Sequence, residues 1–124
     1  MAKTEPVYIG PDAVNELLAY CSSNQLKRFT VIADDNTYAA LGSKVEQALI
    51  GAGYEVKMIK LEGEEVIASA EYIVEVLIEA LPGDCTFISV GSGTITDITR
   101  FTSHRSGRQF IAMPTAPSVD GFNS

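Results

Sequence analysis

Three short stretches of this chain carry residues whose types and spacing could act together in chemistry. The first is the run Gly91, Ser92, Gly93, Thr94, Ile95, Thr96 and Asp97, which follows the apolar segment Cys85–Val90. A strand that runs into a glycine turn and then a helix makes an anion pocket. The first N–H groups of the helix have no partner of their own, and the helix dipole adds partial positive charge there. Glycine lets a phosphate approach the backbone without meeting a Cβ. The run reads as a pyrophosphate cradle or as an ordinary turn between strand and helix. It is not the usual dinucleotide fingerprint, whose third glycine would fall on Thr96 and whose acid follows the glycines. Here the candidate acid, Asp34, comes first, which disfavours dehydrogenases of the lactate or malate type.

Asp34 ends the second stretch. A carboxylate at the end of a strand can accept hydrogen bonds from both ribose hydroxyls of an adenosine, or it can cap a helix. Asp35 could do either, and Asp34 is preferred because it lies nearer the strand. The third stretch is Met113–Gly121, MPTAPSVDG. Its two prolines restrict the loop and lower the entropy lost on ordering it. Thr115 and Ser118 can donate to phosphate or amide oxygens, and Asp120 can accept from a substrate hydroxyl, although Asp-Gly also makes a plain surface turn. His104 is the only histidine and reads as a charge at a helix end. No second histidine completes a metal site, and neither a Ser-His-Asp set nor a lysine after the glycines is present.

These residues need a scaffold, and the hydropathy pattern supplies one. Strands are predicted at Phe29–Ala33, Glu55–Leu61, Thr86–Val90 and Gln109–Met113, with a short edge strand within Lys3–Ile9. Helices are predicted from Pro11 through Cys21, over Tyr38–Leu49 with Asn36 or Asp35 as its cap, over Glu64–Leu81, and over Thr94–His104. In the third of these, Val66, Ala70, Ile73, Val74, Leu77 and Leu81 form the inward face, and Glu65, Glu71, Glu75 and Glu79 the solvated one. Alternating strands and helices give an α/β fold, a mostly parallel doubly wound sheet with helices on both faces. Ligands of such sheets sit at the carboxyl ends of the strands. Asp34, Gly91–Thr94 and Pro114–Asp120 all fall there.

The chain has 124 residues, one domain's worth, and with 46% hydrophobic residues it can bury a core. A net charge of −7 argues against nucleic acid and anionic membrane partners. No apolar run approaches the roughly 20 residues that span a bilayer, and Met1–Gly10 has no signal-peptide core. Two cysteines, Cys21 and Cys85, are too few for a disulfide framework and read as core residues. A reducing cytoplasm is the expected setting.

ADDNTYAALG at 33–42, GSGTITD at 91–97 and PTAPSVDG at 114–121 together resemble the superfamily of iron-containing alcohol dehydrogenases and dehydroquinate synthases. Within it the likeness is greatest to the sn-glycerol-1-phosphate dehydrogenase branch, with glycerol dehydrogenases as near cousins. The resemblance runs from about Tyr8 to the last residue, and the motifs keep the family's order, acid before glycines. It implies a Rossmann-like domain that binds NAD or NADP. Asp34 would bind the adenosine ribose, and Gly91, Ser92, Gly93, Thr94, Ile95, Thr96 and Asp97 would span the pyrophosphate loop. Thr115, Ala116, Pro117 and Ser118 match the loop near the nicotinamide, Asp120 a substrate contact, and Ser124 a further cofactor contact. Ser92 departs from the family, many members of which have a third glycine there.

The family continues into a helical domain whose aspartate and histidines bind zinc, iron or nickel. The 1–124 chain is therefore expected to be the amino-terminal nucleotide-binding part of a longer enzyme, inactive alone. That enzyme would interconvert sn-glycerol 1-phosphate and dihydroxyacetone phosphate in phospholipid biosynthesis, acting as a homo-oligomer on a small polyol or polyol phosphate. A glycerol dehydrogenase, a dehydroquinate or inosose synthase relative, and a nucleotide-binding module without catalysis are the alternatives.

Overall fold

Arg28–Asp34, Glu55–Leu61, Thr86–Gly91 and Gln109–Pro114 form strands β1 to β4 in a computed structural model of the protein, which describes residues 7–8, 12–62, 70–91 and 93–114. All the pairings are parallel, in the order β2-β1-β3-β4. The interiors of β1 and β3 are wholly buried, as a strand covered on both faces must be. Helix α1 is Ala13–Ser23, α4 is Ala70–Glu79 and α5 is Gly93–Arg105. Between β1 and β2 the chain coils through three contiguous pieces: α2 (Asp35–Thr37), a π-helical stretch (Tyr38–Gly42) and α3 (Ser43–Gly51).

Alternation along the strands sorts the core into two layers. Phe29, Val31, Ala33, Ile88, Val90, Ile111 and Met113 meet α1 and α3 through Leu17, Cys21, Val45 and Leu49. Ile32, Ile59, Phe87 and Ala112 meet α4 and α5 through Val76, Ile95 and Ile98. Each large side chain buried in these layers contributes roughly 1.5–3 kcal/mol, so the two central strands are firmly held and their carboxyl ends are fixed points. Arg28 ties the opposite end together. Its guanidinium donates to Glu55 Oε1 at 2.9 Å and to the carbonyls of Pro82 and Asp84 at 2.7 and 2.8 Å.

Several expectations need adjustment. The helix after β1 is capped by Asp34 itself, not by Asn36 or Asp35, because Asp34 keeps extended backbone (φ −106°, ψ −177°) while its side chain already accepts from Thr37 N–H. The inward face of α4 is also rotated from the predicted one. Val76 is buried with Tyr72, Ile73 and Ala80 beside it, whereas Val74, Leu77 and Ile78 are exposed. Almost every position from Ile73 to Ile78 is apolar, so periodicity alone does not single out one stripe. Glu75, expected in solvent, is half-buried, and desolvation followed by the neighbouring Glu79 and Glu62 raises its carboxyl pKa. Of the predicted strand within Lys3–Ile9, Val7 makes a parallel bridge to Ala112, and Tyr8 N–H donates to Ala112 O at 2.9 Å; the rest lies outside the described residues. No helix among the described residues is long and apolar enough to cross a membrane.

Candidate functional site

The carboxyl rim of the sheet holds the predicted residues that the structure describes. Asp34 ends β1 and Gly91 ends β3, on adjacent parallel strands. Gly93 begins α5, so the free N–H groups of a 13-residue helix open beside Gly91. Gly91 has φ +153°, a conformation that favours glycine. A Cβ built there would stand 3.1 Å from Ile95 Cγ1 and 3.1 Å from Thr37 Cγ2. The glycine is thus required by close approach as well as by backbone shape.

Asp34 is held by a reciprocal cap. Thr37 N–H donates to Asp34 Oδ1 at 2.8 Å, and the Thr37 hydroxyl donates to the same oxygen at 2.9 Å. The Asp34 N–H in turn donates to Thr37 Oγ1 at 2.9 Å. No described residue donates to Asp34 Oδ2, and the side chain is only part-buried. Capping and ligand binding, weighed as alternatives from sequence, are compatible here: one oxygen is committed and the other is not.

The residues that follow divide by role. Ile95 is fully buried and closes the turn from beneath, so only its backbone could face a ligand. Gly93 is exposed, and Thr94 and Thr96 are half-buried at the start of α5. Asp97 points to the surface, where Arg100 pairs with it at 3.4 Å. Beside Asp34, Lys60 lies 3.9 Å from Asp35 and 4.8 Å above the ring of Tyr38. The Tyr38 hydroxyl donates to Glu46 at 2.8 Å, which raises the phenol's pKa. Ser92, Thr115, Ala116, Pro117, Ser118, Asp120 and Ser124 lie outside the described residues. Thr37 was not singled out from sequence. The spacing Asp-x-x-Thr, which fits a capping pair, was the available signal.

A cavity of about 410 Å³ lies at the other end of the sheet, lined by Arg28, Cys85, Thr86 and Arg108 among others. Parallel sheets bind ligands at the carboxyl ends. The Arg28 guanidinium is moreover already committed to Glu55 and two carbonyls. The rim formed by Asp34, Gly91 and α5 is therefore the better site. It could receive a dinucleotide: a carboxylate oxygen to which no described residue donates, a turn with no room for a Cβ, and a helix start. No cluster of three or more His, Cys, Asp or Glu able to hold a metal occurs among the described residues.

A family model for iron-containing alcohol dehydrogenases matches residues 8–124. A glycerol-1-phosphate dehydrogenase [NAD(P)+] from Geobacillus thermodenitrificans is 43% identical over 124 residues, covering 97% of this chain and 30% of that enzyme. The chain spans about three tenths of the length of the curated relatives it matches. Among solved structures, a glycerol dehydrogenase from Schizosaccharomyces pombe superposes with TM-score 0.71 and 22% identity over 91% of this chain and 28% of that one. A 2-epi-5-epi-valiolone synthase from Streptomyces hygroscopicus, with NAD+ and Zn2+ bound, gives 0.67 and 16% over 92% and 31%. At those identities the likeness is one of fold.

Proposed function

We propose, from the premise that this chain belongs to the iron-containing alcohol dehydrogenase family, that it is the amino-terminal nucleotide-binding part of an NAD(P)-dependent polyol dehydrogenase. The substrate pair most in keeping with the relatives' names is sn-glycerol 1-phosphate and dihydroxyacetone phosphate. The observation that carries the reading is the rim itself. Asp34 presents an uncommitted carboxylate oxygen next to a glycine turn that has no room for a Cβ.

The rim of described residues supports the roles of Asp34, Gly91 and the start of α5, and the family likeness supports the others. Asp34 accepts from the ribose hydroxyls of the adenosine half. Gly91, Ser92, Gly93 and the N–H groups of Thr94 to Asp97 receive the pyrophosphate, with the α5 dipole favouring its charge. By the family likeness, Thr115, Ala116, Pro117 and Ser118 complete the nicotinamide side, Ser124 adds a further cofactor contact, and Asp120 accepts from a substrate hydroxyl. When bound, the nicotinamide cofactor supplies or takes up hydride, and the protein's part is to orient it. The described residues do not suit a metal site. Ligands for a divalent ion, zinc, nickel or iron, are assigned to a further part of the enzyme. A cytoplasmic, homo-oligomeric parent enzyme acting in phospholipid biosynthesis completes the reading.

Calorimetric titration with NAD and NADP tests it. The chain is expected to bind NAD, and Asp34→Ala to weaken that binding about tenfold or more, the effect of losing hydrogen bonds to a charged acceptor. Unchanged affinity in Asp34→Ala would remove Asp34 from the site.

A further inference from the structure

We infer that Thr37 is a positioning residue for the cofactor, setting which oxygen of Asp34 faces the ribose and where that oxygen stands relative to the glycine turn. The inference rests on the reading of Asp34 as the ribose acceptor and adds a residue to it.

Three hydrogen bonds carry the argument. A threonine hydroxyl has one proton to give, and Thr37 gives it to Asp34 Oδ1 at 2.9 Å. The same hydroxyl receives the Asp34 N–H at 2.9 Å, and the Thr37 N–H adds a second donor to Oδ1 at 2.8 Å. A free carboxylate has two equivalent oxygens and turns readily about its last torsion. This one does not, because rotation would break both bonds to Oδ1. Oδ2 is the oxygen to which no described residue donates, and its direction is set by Thr37.

The methyl group of Thr37 acts on the glycine turn. Thr37 is 8% exposed, and its Cγ2 would lie 3.1 Å from a Cβ at Gly91. The residue that aims the acid therefore also packs into the space left open by the glycine. Acid and turn belong to neighbouring strands, but Thr37 is the side chain that touches both. A dinucleotide held at ribose and pyrophosphate together needs that separation fixed, and binding is tighter when it is fixed beforehand.

The two functions of Thr37 separate by substitution. Thr37→Val keeps the shape and methyl groups but removes the hydroxyl. Thr37→Ser keeps the hydroxyl but removes the methyl. The readout is the ratio of dissociation constants for NAD and for its analogue lacking the adenosine 2′-hydroxyl, measured by calorimetry on the protein, the two variants and Asp34→Ala. The protein is expected to prefer NAD about tenfold, the worth of one hydrogen bond to a charged acceptor. In Thr37→Val the ratio should fall below about twofold, and in Thr37→Ser it should stay near the starting value.

A merely structural threonine would weaken both ligands equally and leave the ratio unchanged in Thr37→Val, which overturns the inference. If Asp34→Ala keeps the ratio, the ribose reading itself is wrong and the inference falls with it. If Asp34→Ala abolishes the ratio and Thr37→Val preserves it, only the inference fails. Should circular dichroism show Thr37→Val unfolded, Thr37→Ala takes its place with the same expected collapse, and loss of the ratio in Thr37→Ser then refutes the role of the hydroxyl.

Discussion

Replacing Gly91 with alanine should destabilise the protein well beyond the ordinary cost of a surface change. Two penalties combine. At φ +153° an L-residue is strained by about 1–2 kcal/mol. The new Cβ would also stand 3.1 Å from Ile95 Cγ1, 3.2 Å from Ile95 Cβ and 3.1 Å from Thr37 Cγ2. Neither neighbour can withdraw cheaply. Ile95 is fully buried in the α5 layer, and Thr37 is fixed by its bonds to Asp34. Crowding of that kind costs about 1–3 kcal/mol. Together they predict a loss of about 2–5 kcal/mol, or roughly 10–20 °C in melting temperature for a chain of this size.

Thermal unfolding followed by circular dichroism measures it. Gly93→Ala is the control, since a Cβ at Gly93 meets nothing within 4 Å and the residue begins a helix. Adding Thr37→Ser to Gly91→Ala removes one of the crowded atoms and should recover about 1 kcal/mol. A Gly91→Ala protein that melts within two or three degrees of the parent, about as Gly93→Ala does, would refute the close-approach argument for the turn.

Two further outcomes are expected. Burial pushes the Cys21 thiol from an ordinary 9.0 up to about 11. Below pH 9 the thiol is neutral in both states; between 9 and 11 the unfolded chain releases the proton while the folded one keeps it, so stability falls as pH rises, by about 2–3 kcal/mol in all. Urea midpoints from pH 8 to 11 should show this fall, and Cys21→Ala should lack most of it; Tyr8, raised chiefly by burial and in small part by Cys21, keeps a remainder. Ser89 Oγ is buried with no hydrogen-bond partner among the described residues, so Ser89→Ala should leave the melting temperature unchanged or raise it by a few degrees. A clear drop would reveal a partner for the hydroxyl.

The fold was largely legible because its signals are strong and redundant. The β-branched run at Phe29–Ala33, the apolar run at Thr86–Val90 and the turn residues between them leave little choice, and the observed strands differ by one residue at an end. Gly91 was legible as a turn for the same reason, since glycine directly after a buried apolar run marks the end of a strand. What escaped was whatever depends on which atoms meet. Asp34, Asp35 and Asn36 are all good caps by type, and only the strand's extended backbone decides that Asp34 does the capping. Thr37 looked like one more polar residue in a turn. The π-helical stretch left no trace in periodicity; there a Cβ at Gly42 would stand 3.2 Å from Tyr38 Cδ1, within the stretch itself. On α4 nearly continuous apolar residues hid the buried stripe.

The strand order has a bearing on self-association. Among the described residues β2 and β4 are the outermost strands, and outer strands are the usual template for intermolecular sheet growth. The two borders are guarded differently. Val7 and Tyr8 lie along β4, and the Tyr8 amide occupies the carbonyl of Ala112. On β2, Lys57 and Lys60 stand in the strand itself, paired with Glu79 and Asp35, so an incoming strand would have to strip water from charged side chains before it could dock. Charged side chains on one border and a paired segment on the other are the devices that discourage edge-to-edge stacking of sheets.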